Sequence, residues 1–365
     1  MRGRLLVVSH ASVLPVNQDV YARLGELGWD VRLVVPSRWR HEYATEPFAP
    51  VAAPGLGERL LPLPVLFPGL PQRHLYRVRV GAIVRRLAPQ VAFLEAETFS
   101  IPARQWGRAL HRAGVPFGVQ ADENLDRPLP ALARALERGT LRDAAFVAAR
   151  SPAAGERARR RGAAGAIDLV PHAVPRWEAA ASTRDGVFTV GYAGRLVPEK
   201  GLRELAAATG RLGPETRLLL VGDGPLRAEL ALVPGVEVLT GVAHERMPEA
   251  FARMDVLALP SRTTERWAEQ FGRVLVEALW CGVPVVGSDS GEIPWVINST
   301  GGGVVVPEGD EPALAAALQG LRDDPSRRAT LAATGRAAVE RLFSVGTAAA
   351  ALDRLLVDTL GDRRG

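Results

Sequence analysis

Of the 45 lysines and arginines in the chain only one is a lysine, Lys200, and it stands in the string Gly194-Arg195-Leu196-Val197-Pro198-Glu199-Lys200-Gly201. A composition rich in Ala, Gly, Pro and Val beside so much arginine reads as a coding bias. A lysine that survives such a bias reads as one needed as a lysine. Arginine offers a planar fork, whereas lysine offers a compact ammonium suited to a phosphate oxygen in a tight pocket. Arg195 lies five residues before it, and the flanking glycines Gly194 and Gly201 allow backbone to approach a ligand closely. Two cations on one glycine-flanked loop suit a pyrophosphate.

A pair of carboxylates adds a second kind of chemistry. Glu269 and Glu277 bracket seven residues in Ala268-Glu269-Gln270-Phe271-Gly272-Arg273-Val274-Leu275-Val276-Glu277-Ala278. A helix is expected to start near Gly272, leaving Glu269 in the loop before it and Glu277 about a turn and a half inside. The free N–H groups at such a start form an anion site. Carboxylates on either side can accept from sugar hydroxyls. The plainer alternative is a glutamate complementing the helix dipole plus a solvated one. Val276, Ala278 and Leu279 around Glu277 argue against the solvated reading. Two weaker signals stand nearby. Val221-Gly222-Asp223-Gly224-Pro225 reads as a strand and tight turn, and the segment from Thr240-Gly241 through Val242 to Met247-Pro248 as a wall for a base or as plain structure.

The elements that must position these residues alternate between strand and helix. Apolar runs at residues 5–8, 31–35, 91–94, 117–120, 145–148 and 167–170 are expected as strands, with a helix over 19–27. A second series is expected at 188–192, 217–221, 236–239, 256–259, 283–286 and 303–306. Runs apolar on both faces and separated by helices fit parallel sheets covered on both sides. The fold expected is α/β, two doubly wound Rossmann-like domains in tandem with a cleft between them, ligands binding beyond the carboxyl ends of the strands. The expected boundaries are a first domain over 1–172, a linker over 173–186, a second domain over 187–344, and a C-terminal helix within 345–365 that packs back on the first domain. The stretch 50–71, rich in Pro, Gly and Leu, reads as a long loop or short irregular strands.

Composition bounds the rest. The hydrophobic content of 47% is that of a soluble globular protein, and no apolar run is long enough to span a bilayer. The single Cys281 excludes an intrachain disulfide and a cysteine metal cluster, so a cytoplasmic setting is expected. A net charge of +5 favours anionic ligands or surfaces. The basic runs at 73–86 and 157–161 lack the aromatics of a nucleic-acid surface, so no nucleic-acid partner is expected.

Taken together, Gly-Arg-Leu-x-Pro-Glu-Lys-Gly, Val-Gly-Asp-Gly-Pro, Pro260-Ser261, the Glu-x7-Glu segment and Cys281-Gly282-Val283-Pro284-Val285-Val286 occur in a familiar order and spacing. The chain resembles a glycosyltransferase of family 4 with the GT-B fold, closely over 190–310 and more loosely before that. The resemblance implies a retaining transfer of sugar from a nucleotide-sugar, with no metal or other cofactor. It implies that Arg195 and Lys200 bind the donor diphosphate, that Glu277 holds the ribose hydroxyls and Glu269 the donor sugar, and that backbone N–H groups of Phe271, Gly272 and Arg273 join the phosphate site. Gly194, Gly222, Val242 and Gln270 complete the expected donor-binding set, and Arg195, Lys200 and Glu269 the catalytic set. A UDP-sugar donor and a small-molecule acceptor are expected. A lipid-linked or cell-surface glycan acceptor, a pseudo-glycosyltransferase and a nucleotide-sugar epimerase remain as alternatives.

The first half departs from the family pattern. The loop after the first strand reads Ser9-His10-Ala11-Ser12-Val13-Leu14-Pro15-Val16-Asn17-Gln18, without the family's Gly-Gly pair. Where many members have a histidine, this chain has Gln120-Ala121-Asp122-Glu123-Asn124. The acceptor or sugar side is therefore expected among His10, Asn17, Asp122, Glu123 and Asn124. The apolar stretch 60–71 and the basic segment 73–86 admit two readings, a cover over a soluble acceptor or a dock on an anionic membrane. The modest apolar residues Leu75, Tyr76, Val80 and Ile83 favour the soluble acceptor, with weak peripheral membrane contact as the other reading.

Overall fold

A computed structural model of the chain describes residues 2–40, 47–174, 176–181 and 186–361. The chain divides into two compact units, Met1–Pro175 with Val345–Gly365, and Arg176–Ser344.

The first unit is built on a parallel sheet of seven strands: β1 (Gly3–Ser9), β2 (Trp29–Pro36), β3 (Leu60–Leu63), β6 (Val91–Glu95), β7 (Phe117–Ala121), β8 (Phe146–Ala149) and β9 (Ala166–Leu169). Val65–Leu66 and Leu75–Tyr76 form a separate antiparallel pair, β4 and β5. The sheet order is β3-β2-β1-β6-β7-β8-β9. Side-chain alternation along β1 shows why its run is apolar throughout. Leu5 and Val7 enter one core with Tyr21, Leu24, Leu352 and Leu356. Leu6 and Val8 enter another with Val80, Val84, Trp106 and Leu110. Burial of both faces is what a parallel sheet between helical layers requires. The C-terminal helix Val345–Gly361 belongs to this unit. Trp29 Nε1 donates to Asp353 Oδ1 at 2.7 Å, and Arg2 pairs with the other oxygen at 3.1 Å.

The stretch 50–71 contributes more regular structure than its composition suggests. Leu60–Leu63 adds to the sheet edge beside β2, where Pro62 is tolerated because an edge strand need not donate on its outer side. The segment 73–86 is not one basic helix. It passes through β5, and its helix starts only at Val80 and runs to Leu87.

The second unit holds a six-stranded parallel sheet: β10 (Phe188–Ala193), β11 (Thr216–Val221), β12 (Val236–Leu239), β13 (Val256–Leu259), β14 (Val285–Ser288) and β15 (Gly303–Val306). Its order is β12-β11-β10-β13-β14-β15. Both sheets are doubly wound. In each the strand order reverses at one place, between β1 and β6 in the first and between β10 and β13 in the second. The crevice beyond the carboxyl ends at such a reversal is where open α/β sheets bind ligands. Among the described residues no helix is long and apolar enough to cross a membrane.

Candidate functional site

The reversal in the second sheet gathers the loop after β10, which carries Gly194 to Gly201, and the loop after β13, which carries Pro260 to Gly272. Gly201 makes this approach possible. Its φ is +67°, and a Cβ there would lie 2.0 Å from the Pro260 carbonyl oxygen. Lys200 Nζ consequently reaches Glu269 Oε2 at 2.5 Å, and Ser261 Oγ donates to the same oxygen at 2.9 Å. The ammonium also sits 4.6 Å from the centroid of the Trp267 ring. Both side chains of the ion pair are only 12% exposed. A charge so far removed from water needs partners, and Glu269, Ser261 and Trp267 supply them. The backbone of Glu269 is fixed in turn, since its carbonyl accepts from Glu292 N at 2.9 Å.

The loops after β10 and β11 are tied to each other. Gly194 N donates to Val221 O and Leu196 N to Asp223 O, each at 2.9 Å. Gly222 lies so close that a Cβ would stand 1.9 Å from the Gly194 carbonyl oxygen. Gly194 is exposed and Arg195 half-buried, and the Arg195 carbonyl accepts from Tyr192 Oη at 2.7 Å.

The helix expected to begin near Gly272 spans Arg273–Trp280, with Gly272 as its N-cap in the left-handed region at φ 75°. Its first N–H groups face outward from the helix end, as in other anion-binding termini. Phe271 packs in the core against Trp295 at 5.9 Å and Phe343 at 5.4 Å, so its backbone and not its ring is what it can offer a ligand. Gln270 is half-buried beside it. Glu277 is buried, one and a half turns into the helix. Its Oε1 pairs with Arg273 Nε at 2.9 Å and lies 3.2 Å from His244 Nε2.

His244 and Trp177 escaped the sequence reading. Val242 leads into the helical turn His244–Arg246, and the His244 ring packs 4.8 Å from Trp177, which in turn lies 6.2 Å from Phe251. Trp177 falls in the stretch expected as a linker, and a lone large aromatic among small and charged residues was the available signal. An aromatic pair with its rings tilted 56° to each other, next to a buried carboxylate, can wall a base and its sugar. A cavity of about 820 Å³ lies elsewhere in this unit, at the amino ends of β11 and β12, lined by Thr216 and Val236 among others. Among the described residues no three His, Cys, Asp or Glu side chains are grouped as metal ligands.

The reversal in the first sheet is a different environment. His10 follows β1, Glu97 lies two residues beyond β6, and Asp122 follows β7. Below them runs a buried polar network. Arg150 donates to Glu95 Oε1 at 2.8 Å, Gln120 Oε1 at 2.5 Å and Val170 O at 3.1 Å. Burial pushes the Asp122 carboxyl up, but hydrogen bonding and charge from His172, the Arg150 charge and a bond from Gln120 outweigh it and hold it below its ordinary value. His172 Nε2 is 3.4 Å from Asp122 Oδ1. Burial lowers the His10 imidazole to about 4 against the opposing pull of Asp122. Its ring belongs to an aromatic row with Trp39 at 5.3 Å and His74 at 5.6 Å. His74 is likewise lowered to about 4, by burial first and then by His10.

The remaining expected acceptor-side residues have local partners. The Asn17 amide donates to Ala11 O at 2.8 Å and closes its own loop. Glu123 is buried and pairs with Arg127 at 3.0 Å. Asn124 is half-buried next to it. Glu95, Glu97 and Arg150 were missed, because Glu95 and Arg150 end apolar runs where a polar residue looks like a strand terminus, and Glu97 follows in the connection after the first.

Against known proteins, the second unit is the recognisable one. Residues 187–324 match the family model of Glycosyl transferases group 1. The GDP-mannose-dependent monoacylated alpha-(1-6)-phosphatidylinositol monomannoside mannosyltransferase of Corynebacterium glutamicum is 36% identical over 160 residues, covering 41% of this chain and 42% of that protein. The 2-deoxystreptamine glucosyltransferase of Streptomyces kanamyceticus is 29% identical over 253 residues, covering 60% of this chain and 64% of that one. The matches thus span less than two thirds of these relatives' length. Among solved structures, Anabaena HepE in complex with UDP and glucose superposes with a TM-score of 0.73 at 18% identity, covering 98% of this chain and 100% of that one. That likeness shows the fold, two Rossmann-like units of the GT-B kind.

Proposed function

We propose that the chain is a retaining glycosyltransferase of family 4 that moves a sugar from a nucleoside-diphosphate donor, a UDP-sugar in the first instance, to a hydroxyl of a small-molecule acceptor. The observation that carries this reading is the constellation at the β10/β13 reversal, where Lys200, Glu269 and Ser261 meet beside the helix start at Gly272. It lies within the stretch that matches the glycosyltransferase family model.

In this reading Lys200 and Arg195 neutralise the departing diphosphate, aided by the backbone N–H groups after Gly272. Fixed donors aimed at developing charge are a large source of rate acceleration. Glu277, held by Arg273 and His244, accepts from the ribose hydroxyls, and the Trp177–His244 pair stacks on the base. Glu269 accepts from the sugar's hydroxyls while its partner Lys200 turns to phosphate. The acceptor hydroxyl gives its proton to a donor phosphate oxygen on the face from which the diphosphate leaves, so no side chain needs to serve as base. These cations and the helix start do the work of a metal, and no metal is required. A cytoplasmic setting fits a nucleotide-sugar donor.

The test is direct. Purified protein is incubated with UDP-, GDP- and dTDP-sugars, and melting temperature and release of nucleoside diphosphate are measured. A ligand bound only by the folded state raises the melting temperature according to its affinity. Binding of none of these donors would overturn the reading.

One observation favours a second acceptor class. Leu66, Phe67 and Leu70 are 38%, 59% and 46% exposed at the tip of the β4–β5 region, and Arg73, Arg77, Arg79, Arg85 and Arg86 are exposed around it. An apolar tip ringed by arginine suits an anionic lipid surface and hence a lipid-linked acceptor. Cosedimentation with anionic liposomes that is lost when Arg77, Arg79, Arg85 and Arg86 become Gln selects that class over a soluble one.

A further inference from the structure

Around the β1/β6 reversal several buried polar atoms have no hydrogen-bond partner among the described residues, including the Nε of Arg150 and the Nε and Nη2 of Arg157 on the guanidinium side, and two acceptors at the loops after the strands. Glu97 Oε2 and His10 Nδ1 are shut off from solvent, and neither has a hydrogen-bond partner among the described residues. They come from the loops that follow the two strands flanking the reversal, and both feel the charge of Asp122 just after the neighbouring strand. Buried polar atoms are nearly always satisfied, so a pair left open on either side of a crevice points to a ligand.

Charge says what kind of ligand. The carboxyls around this crevice are Glu95, Glu97, Asp122, Glu123 and Glu137, and the guanidiniums are Arg127, Arg150 and Arg157. Glu95, Glu123 and Glu137 are each matched, with Arg150, Arg127 and Arg157 at 2.8, 3.0 and 2.8 Å. Asp122 shares Arg150 only at 3.8 Å and leans on His172. Glu97 has no ion-pair partner of its own among the described residues. In a chain of net charge +5, this is a local excess of negative charge.

We propose that the crevice between the ends of β1 and β6 is an acceptor subsite for a substrate bearing a primary ammonium group, and that Glu97 is the residue that contacts it. This rests on the glycosyltransferase reading and narrows its acceptor to amino-bearing polyols. An ammonium has three donors, enough for Glu97 Oε2 and the Asp122 side, while a neutral His10 Nδ1 can accept from an adjacent N–H or O–H. Burial, then the neighbouring Asp122 and Glu123 charges, raises the empty Glu97 carboxyl well above its ordinary value against the opposing pull of Arg157, which favours its protonated form. An arriving ammonium replaces that proton as the balancing cation. A phosphate-bearing acceptor would meet the same charges as repulsion.

The test compares two matched pairs, 2-deoxystreptamine with myo-inositol and D-glucosamine with D-glucose. Binding to the full chain is measured by calorimetry with saturating UDP, and again with GDP, in buffers of different ionisation enthalpy. At least one amine is expected to bind tenfold or more tightly than its hydroxyl counterpart, with about one proton released, because the proton count changes when a group's pKa differs between free and bound states. Glu97→Gln is expected to erase both the preference and the proton release while leaving UDP or GDP affinity unchanged. Proton release is read on the wild type, so the outcome does not depend on the variant's folding. Equal affinity for amine and hydroxyl partners, or an undiminished preference in Glu97→Gln, overturns the assignment while nucleotide binding keeps the donor reading standing. Failure of the wild type to bind any nucleoside diphosphate removes the donor reading, and this inference with it.

Discussion

The two sheets reverse their strand order in the same way, yet the two crevices this creates are chemically opposite. At the second, cation and carboxylate are brought face to face, Lys200 on Glu269 and Arg273 on Glu277, with both carboxylates buried. At the first, burial lowers two imidazoles of an aromatic row to about 4 and holds a carboxyl well above its ordinary value. Topology decides where a ligand goes, and the residues after the strands decide which one. Under the proposed function, the second crevice manages the charge of a leaving diphosphate and the first recognises the acceptor.

The contrast can be broken hardest at Lys200. Lys200→Ala is expected to lower the turnover of any accepted donor by about 10³-fold, the scale seen when one fixed electrostatic group is removed from a transition state. The protein should stay folded, which circular dichroism checks. Lys200→Arg is expected to be strongly impaired as well, because a planar fork cannot take the place of a compact ammonium between Glu269, Ser261 and Trp267. Near-normal turnover in Lys200→Ala would remove the second crevice from the chemistry.

The first crevice is more open to attack through acid. His10 and His74 titrate at about 4 in the folded chain, below the ordinary 6.5 that applies once it unfolds. Between these values the unfolded state binds more protons, so stability rises with pH through the window and is lost as pH falls from 6.5 towards 4. Each histidine should remove roughly 2 kcal/mol between pH 7 and pH 4.5. Denaturant unfolding at the two pH values checks this, with His74→Gln expected to lose its share of the difference. An unchanged difference in that variant contradicts a neutral, buried His74.

Why the second crevice was easier to read follows from how its residues are placed. Lys200 stands in a short glycine-flanked segment, Glu269 and Glu277 bracket the glycine that caps a helix, and the loop of Lys200 is fixed by a close backbone contact that only glycine permits. The helix start at Gly272 was legible for the same reason, and the six strands of the second sheet because each holds an apolar run. In the first unit the seven-stranded sheet was legible except for its edge, where Leu60–Leu63 hides in a Pro-rich stretch. The polar network there was not, because Glu95 and Arg150 are 55 residues apart in sequence and meet only through the pairing of strands. His244 and Trp177 illustrate the same limit in the second unit, as their contact joins a connection to a turn more than 60 residues later.

A finer cut separates the two carboxylates within the second crevice. Glu277 is buried beside His244 and Arg273, whereas Glu269 pairs with Lys200. Glu277→Ala is expected to weaken binding of free nucleoside diphosphate by about tenfold, the worth of one charge-assisted hydrogen bond. Glu269→Ala is expected to leave that affinity within about twofold and to reduce transfer instead. Calorimetric titration of UDP or GDP against both variants checks the division, and an equal loss in the two contradicts it.

The smallest expected effect is on removal of divalent cations. If Lys200, Arg195 and the helix start after Gly272 carry the charge of the leaving diphosphate, a metal has no separate share of it to carry. Metal ions act on phosphoryl groups by the same charge neutralisation that fixed protein cations and dipoles provide. Turnover with the preferred donor in excess EDTA should therefore stay within about twofold of that in Mg²⁺, since chelation leaves every protein cation in place. The comparison is informative because Lys200→Ala and chelation test one quantity from two sides. A variant that is dead in EDTA but partly restored by Mg²⁺ would still agree with the assignment, the metal then replacing the lost ammonium. Wild-type activity that is lost in EDTA and recovered with Mg²⁺ or Mn²⁺ would instead transfer the leaving-group role from Lys200 to a metal. The charged character of the second crevice would then have to be explained by binding alone.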